Sequence, residues 1–460
     1  MWWRNSRIAA QGLTLKIDFN ILLVKRANEK ESDFAPKRRQ ETHLETATKA
    51  HCFELLALAG KNDSAKIGGV ACPDHIKTIL ETTLPTTIKA LRLNGTEYIN
   101  PGKPGGSVTR NLAVESVSLP EPAQGEVIVE PMFVGICGSD NSASTGKPNF
   151  TWVDRPRTIG HEASGRIVGF GPDTEGTAGL KMGDVVCIVP MRGCGDPRCR
   201  GCSRGRPNYC RQKKIFGFHR DGAMAQQMIV NTGRCMPLAD GLTPLQGAVV
   251  EPLSVVAQAV HRKCNIQPGM DVVVSGCGII GLMAAELARA AGARVAVTGI
   301  ERDREVRLKL ANDRGFIPIV VSEDKPLHEQ LAHGVEDLEG RRFGDAYENG
   351  TVDVLIECSG FPPALGTAGL SVQLEGSICV IATFGADVTF GATAFTRSGQ
   401  TMKGVMGSNR EDFQTAQALL QRGVFPVDVY SQQYAFDDAV QAMEESIMAK
   451  TPKAILAINK

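Results

Sequence analysis

Val272-Val273-Val274-Ser275-Gly276-Cys277-Gly278-Ile279-Ile280-Gly281 is an apolar run that passes through G-x-G-x-x-G into the helical pattern Leu282–Ala291. In such a turn the first glycine permits a sharp reversal and the second lets backbone approach a pyrophosphate. The third lets the helix pack closely on its strand. The helix start offers unpaired N–H groups to negative phosphates. A glycine pattern alone also makes turns that bind nothing. The strand before it and the helix after it supply the context that favours a dinucleotide. Gly276, Gly278, Ile279, Ile280 and Gly281 are therefore candidate cofactor contacts.

Downstream, the runs Arg294–Thr298, Val352–Ile356 and Ser377–Ile381 read as further strands. Strands alternating with helical segments predict an α/β fold with a doubly wound parallel sheet. Upstream, runs such as Gly125–Val134 and Gly183–Val189 lie between Pro/Gly-rich turns and predict an all-β, barrel-like region to about residue 240. Helices are expected over Val249–His261, Glu411–Gln421 and Phe436–Ala449, and a closing strand over Ala454–Ile458. Residues 1–86 carry the charged stretch Lys25–Lys37 and no strand alternation, and read as a loosely ordered extension.

The second strand bears on cofactor choice. A carboxylate at its end ordinarily bonds the ribose 2′-OH of NAD. Here that place falls on Gly299, with Glu301, Arg302 and Arg304 just beyond. Glu301 could still take the ribose, and Arg302 or Arg304 could pair with the 2′-phosphate of NADP. A solvated loop is the plain alternative, and the choice stays open.

Four of the 13 cysteines crowd together as Cys194-x4-Cys199-x2-Cys202-x7-Cys210. An odd total with scattered single cysteines fits a reducing, cytoplasmic setting, so the cluster suggests metal rather than disulfides. Four closely spaced thiolates fill a tetrahedral zinc site and leave it closed, which marks a structural role. A second constellation is dispersed: Cys137 and Ser139 in Gly135–Asp140, His161 and Glu162 in Gly160–Gly165, and Glu251 in Glu251-Pro252-Leu253-Ser254-Val255. Each alone reads equally well as a core or helix-cap residue. Together they offer a thiolate, an imidazole and carboxylates, a mixed set that leaves a zinc position open.

The 51 lysines and arginines balance 50 acidic residues, and aromatic residues make up 5%. That balance gives no electrostatic case for nucleic acid and no base-stacking surface. No run reaches the roughly 18 apolar residues of a membrane span.

On these motifs the chain resembles the zinc-containing medium-chain dehydrogenases, in their sorbitol/threonine/glucose dehydrogenase branch. The matching stretches are Gly135–Asp140, Gly160-His161-Glu162-x2-Gly165-x5-Gly171, Lys181–Val186, the cysteine lobe, Glu251–Val255, Gly276–Gly281 and Ile356-Glu357-Cys358-Ser359-Gly360. The resemblance implies a GroES-like β-barrel catalytic domain over 87–253 and a Rossmann domain over 254–404. A tail over 405–460 would return to the first. It further implies hydride transfer from a polyol, sugar or amino-alcohol to NAD or NADP, with a small-molecule substrate and a homo-oligomeric assembly. Cys137, His161 and Glu162 would hold catalytic zinc, Glu251 would bind it directly or through water, and Ser139 would relay the substrate proton. Cys194, Cys199, Cys202 and Cys210 would hold the structural zinc. The chain departs from the branch in Asn141 after Asp140 and in Asp196 where a cysteine is usual. The stretch Ser322–Gly350 is longer than expected of the branch, and residues 1–86 have no counterpart there.

Overall fold

The computed structural model describes residues 86–460 apart from 101, 102, 104, 105, 346 and 460, together with the strands Lys66–Ile67 and Val70–Ala71. The chain divides into Met1–Leu84 and Pro85–Lys460. In the first unit the two short strands pair antiparallel. The reading of 1–86 as a loose extension otherwise lies outside the described residues.

The second unit begins with β1 (Thr86–Leu93) paired antiparallel with β2 (Leu112–Leu119). Next, β3 (Glu126–Gly135) alternates half-buried and buried residues along most of its length, the period of a strand with one face in a core. Its last residues, Phe133 to Gly135, are buried without alternation, and there the chain turns into α1 (Gly138–Ser144). β4 (Glu162–Phe170), β5 (Val185–Ile188), β6 (Met228–Asn231) and β7 (Cys235–Pro237) complete the local β region. Helix α2 (Val250–Ala257) then leads through a π-helical stretch, Gln258–Cys264, to the second sheet.

That sheet contains β8 (Asp271–Ser275), β9 (Arg294–Gly299), β10 (Ile317–Val320), β11 (Val352–Glu357), β12 (Val372–Val380) and β13 (Thr401–Gly404). All pairings are parallel and the order is β10–β9–β8–β11–β12–β13, the doubly wound arrangement with its reversal between β8 and β11. Helix α3 (Ile279–Ala290) follows β8, and Gly281 to Ala288 are all buried. The glycine turn thus opens at the carboxyl end of a central strand, beside the reversal.

The helix predicted from Leu282 starts at Ile279, because Gly278 is the extended residue that caps it. Two strands of this sheet escape the sequence reading, Ile317–Val320 and Thr401–Gly404. Both are sheet edges, where a proline such as Pro318 is tolerated and apolar runs are not required. The stretch Ser322–Gly350 carries a helix, Leu327–His333, and a small hairpin of Val335–Glu336 with Arg342–Phe343.

After α4 (Arg410–Gln421) the chain returns to the first sheet through β14 (Ser431–Ala435), α5 (Ala439–Ile447) and β15 (Lys453–Ala457). β15 pairs antiparallel with β3 and parallel with β14, giving the order β7–β5–β4–β3–β15–β14, with β6 also on β3. The last strand therefore lies beside the end of β3, and this pairing brings Lys453 to the site described next. No helix among the described residues is long and apolar enough to cross a membrane.

Candidate active site

β3 and β4 are antiparallel neighbours with Gly135 opposite Glu162. That register places Cys137, two residues past the end of β3, beside His161 and Glu162 at the start of β4. One ligand atom from each of the three lies within 4.8 Å of the others. His161 and Glu162 are buried and Cys137 is half-buried. A thiol, an imidazole and a carboxylate at this separation suit zinc, which takes these three donor types. The His161 Nδ1 and Asp140 Oδ1 atoms are buried, make no hydrogen bond and face each other.

Asp140 organises two of the donors. Its Oδ2 accepts from the Cys137 backbone N–H at 3.0 Å, and its Oδ1 faces His161 Nδ1 at 3.5 Å. A carboxylate behind one ring nitrogen fixes the tautomer that presents the other to a metal. Lys453, 2% exposed, donates to the Ile136 carbonyl at 2.9 Å and pairs with the Glu162 carboxylate. A Cβ at Gly135 would run into that carboxylate and lie 2.8 Å from Lys453 Cε, which explains the glycine.

Glu251 is the fourth candidate donor. It is buried at the start of α2, but its carboxylate is not among the three mutually close donors. Burial pushes its pKa up to about 7, with His161 and Lys453 opposing the rise and Glu162 and Asp140 adding to it. Three carboxylates share this interior, and like charges so placed resist ionising together. Ser139 lies half-buried in the first turn of α1.

The four sulfurs of Cys194, Cys199, Cys202 and Cys210 also lie within 4.8 Å of one another. Cys194 joins them despite its wider spacing, and its Sγ is 3.8 Å from that of Cys202. Asp196 turns away and holds the Arg198 side chain at 2.9 and 3.1 Å.

At the glycine turn, Gly276 has φ +101°, a conformation that side chains disfavour. A Cβ at Gly281 would strike the Gly276 carbonyl oxygen, whereas one at Gly278 would meet nothing within 4 Å. The third glycine is thus closed by packing, and the second faces open space that a pyrophosphate can fill. Across the crevice, Glu357 accepts from the Ser359 and Gly360 N–H groups at 2.7 and 3.0 Å, holding the facing turn.

Comparison with known proteins agrees with this arrangement. The pattern of the alcohol dehydrogenase GroES-like domain matches residues 123–240, and that of the zinc-binding dehydrogenases matches 280–422. Sorbitol dehydrogenase of Halalkalibacterium halodurans is 30% identical over 68% of this chain and 85% of its own length. The chain belongs to the zinc-binding alcohol dehydrogenase family. L-galactonate-5-dehydrogenase of Escherichia coli is 29% identical over 74% of this chain and 93% of its own. The crystal structure of 2R,3R-butanediol dehydrogenase from Bacillus subtilis shares the fold, with a TM-score of 0.66 at 24% identity over 81% of this chain and all of that one (100%). This zinc-binding dehydrogenase combines a GroES-like region with a Rossmann sheet. It is a zinc-dependent oxidoreductase that passes hydride from a secondary alcohol to NAD(P).

Sequence reading did not single out two residues that this dehydrogenase brings to the site. Asp140 stood inside the motif that supplied Cys137, so the signal was present. Lys453 carried none, because a lysine opening a short apolar strand looks like an ordinary solvated end.

The electrostatics of His161 give a measurable consequence. Burial alone lowers its pKa, but the facing Asp140 carboxylate and Cys137 raise it well above the ordinary value. In the metal-free protein the ring therefore holds its proton near neutrality, and a metal must displace it. Metal binding that releases protons strengthens as pH rises. Zinc affinity at this site, measured by chelator competition between pH 6 and 8, is expected to rise about tenfold per pH unit for each proton displaced. An affinity that stays flat across that range would contradict the assignment of His161 as a donor.

Proposed function

We infer that this dehydrogenase oxidises a polyhydroxylated alcohol or sugar acid at a secondary carbinol, with Cys137, His161 and Glu162 holding the catalytic zinc. The observation that carries the reading is the convergence of these three donors at the end of β3, with a dinucleotide turn in the same unit. Zinc, when bound there, supplies Lewis-acid polarisation of the alcohol oxygen. The nicotinamide supplies the hydride acceptor.

The chain's own groups do the rest. Asp140 orients His161 and Cys137 through opposite oxygens of one carboxylate. Lys453 pairs with the buried Glu162 carboxylate and holds it in place. Ser139, in the first turn of α1, passes the substrate proton outward. Glu251 stays beside the donor set as a carboxyl of raised pKa, able to hold or return a proton. The glycine turn seats the pyrophosphate on the N-terminus of α3, and Cys194, Cys199, Cys202 and Cys210 hold a second, structural zinc.

In domain terms, residues 87–253 with the tail 405–460 form the catalytic part, and 254–404 the cofactor part. The polyol and sugar-acid preference is supported by relatives named for sorbitol and L-galactonate. A cytoplasmic homo-oligomer fits the cysteine usage and the family. The test is a screen of alditols, aldonates, threonine and simple secondary alcohols for cofactor reduction by zinc-loaded protein. Turnover of an alditol or aldonate well above that of a simple alcohol is expected. Preference for a simple alcohol would overturn the substrate class, and turnover retained after zinc removal would overturn the site.

A further inference from the structure

We propose that the lobe around Cys194, Cys199, Cys202 and Cys210 binds an oligophosphate, a chain of three or more linked phosphates, in a cavity walled by arginines. The chain as a whole is balanced in charge, with 51 lysines and arginines against 50 acids, but this lobe is not. Between Arg192 and Lys214 stand eight cations and one acid, Asp196. A zinc held by four thiolates adds two negative charges, which still leaves a net excess of five positive ones. The neck of the lobe adds to the crowding. There Met191–Arg192 pairs antiparallel with Lys214–Ile215, setting Arg192 directly opposite Lys214. Like charges so placed are destabilising, and a bound anion offsets their repulsion.

The lobe carries a cavity of about 840 Å³, a size that takes a compact ligand. Arg198, Arg200, Arg204, Arg206 and Arg211 line it, and no lysine does among the described residues. Asp196 engages Arg198 alone. The guanidinium groups of Arg200, Arg204, Arg206 and Arg211 are exposed and make no ion pair or hydrogen bond among the described residues. Guanidinium forks grip phosphate oxygens in pairs, whereas an ammonium acts as a point charge. A single phosphate has too few oxygens for four forks set round one cavity, and linked phosphates have enough. A single-stranded nucleic acid asks instead for a row of stacking aromatics. Tyr209 is the only aromatic in the lining among the described residues. Its hydroxyl donates to Gln258 at 2.9 Å, and Lys263 lies over its ring at 5.7 Å. None of these arginines belongs to the donor set of Cys137, His161 and Glu162 or to the glycine turn, so the site stands apart from hydride transfer.

The test is calorimetric titration of tripolyphosphate into the zinc-loaded full chain, with metal analysis of the protein afterwards. Orthophosphate, adenosine 5′-monophosphate, adenosine triphosphate and an RNA oligomer without terminal phosphates are titrated beside it. One tripolyphosphate per chain is expected, bound at least about tenfold tighter than orthophosphate or the monophosphate, because each further phosphate gripped adds charge-assisted hydrogen bonds. Zinc should be retained. The triple variant Arg200→Ala, Arg204→Ala, Arg206→Ala should keep both zincs and lose about tenfold or more in tripolyphosphate affinity. The matching triple change to lysine should recover only part of that loss, since it restores charge without the fork. Only the binding that the alanine variant removes is assigned to the lobe, which separates it from nucleotide held at the glycine turn. Within that part, adenosine triphosphate equal to tripolyphosphate assigns the site to linked phosphates alone, and tighter adenosine triphosphate assigns it to a nucleoside triphosphate; both uphold the proposal. Binding indifferent to the alanine changes, full binding by the lysine variant, zinc loss that accounts for the heat, or tighter binding of the RNA oligomer overturns it.

Discussion

Cys137→Ser should lose the catalytic zinc and at least a thousandfold in turnover while the fold persists. The fold persists because the position makes only modest structural demands. Cys137 is half-buried and precedes α1, and its ordered contact is a backbone one, its N–H donating to Asp140 Oδ2 at 3.0 Å. Serine keeps that N–H and is itself a favoured residue at a helix start. What changes is the donor, because a neutral hydroxyl replaces a thiolate in a three-donor set. Lewis-acid stabilisation is worth several kcal/mol, and each 1.36 kcal/mol is a decade of rate, hence the size of the expected loss. Metal analysis should show one zinc lost per chain and one retained in the cysteine lobe, with the unfolding midpoint near that of the parent. Cys199→Ser, whose sulfur belongs to the other set, should do the converse and lose the lobe's zinc first. Full turnover of Cys137→Ser with both zincs present would sink the assignment.

Legibility of the site in the sequence followed physical lines. The central strands β8, β9 and β11 were readable because a strand covered on both faces must be nearly continuous in Val, Ile and Leu. The edges β10 and β13 were not, since half of an edge strand's environment is solvent and Pro318 fits there at little cost. Cys137, His161 and Glu162 were legible because metal donors are a small chemical alphabet and their motifs flank strand ends. Their convergence was not, since it depends on the β3–β4 register that sets Gly135 against Glu162. Glu251 was picked out by its residue type; it is buried outside the mutually close three, among charges that include His161, Glu162 and Lys453. The four sulfurs of the cysteine lobe come together despite irregular spacing, because a loop rich in glycine can bring Cys194 round to Cys202 whatever lies between.

Lys453→Met tests whether the returning tail serves the site or merely completes the sheet. Glu162 and Lys453 are each 1% exposed at the side chain, and the Lys453 ammonium also satisfies the Ile136 carbonyl. Methionine matches the lysine stem in length, so packing along β15 is nearly conserved and the change is mostly electrostatic. Breaking a buried pair from one side leaves an uncompensated charge and costs about 3–5 kcal/mol. In the zinc-loaded protein part of that charge is met by the metal, so the loss should be larger after zinc is stripped than before. Adding Glu162→Gln removes the stranded charge, and the double variant should regain most of the stability, since replacing both members of a buried pair is often near neutral. Turnover should not return with it, because glutamine is a poorer donor to zinc than carboxylate. Urea midpoints and turnover of the two single variants and the double, with and without zinc, separate the effects. If Lys453→Met unfolds at the parent's midpoint in both states, the pair contributes nothing and Lys453 is only a strand residue. If stability falls equally with and without zinc, Glu162 is held by the lysine alone and does not belong to the metal set.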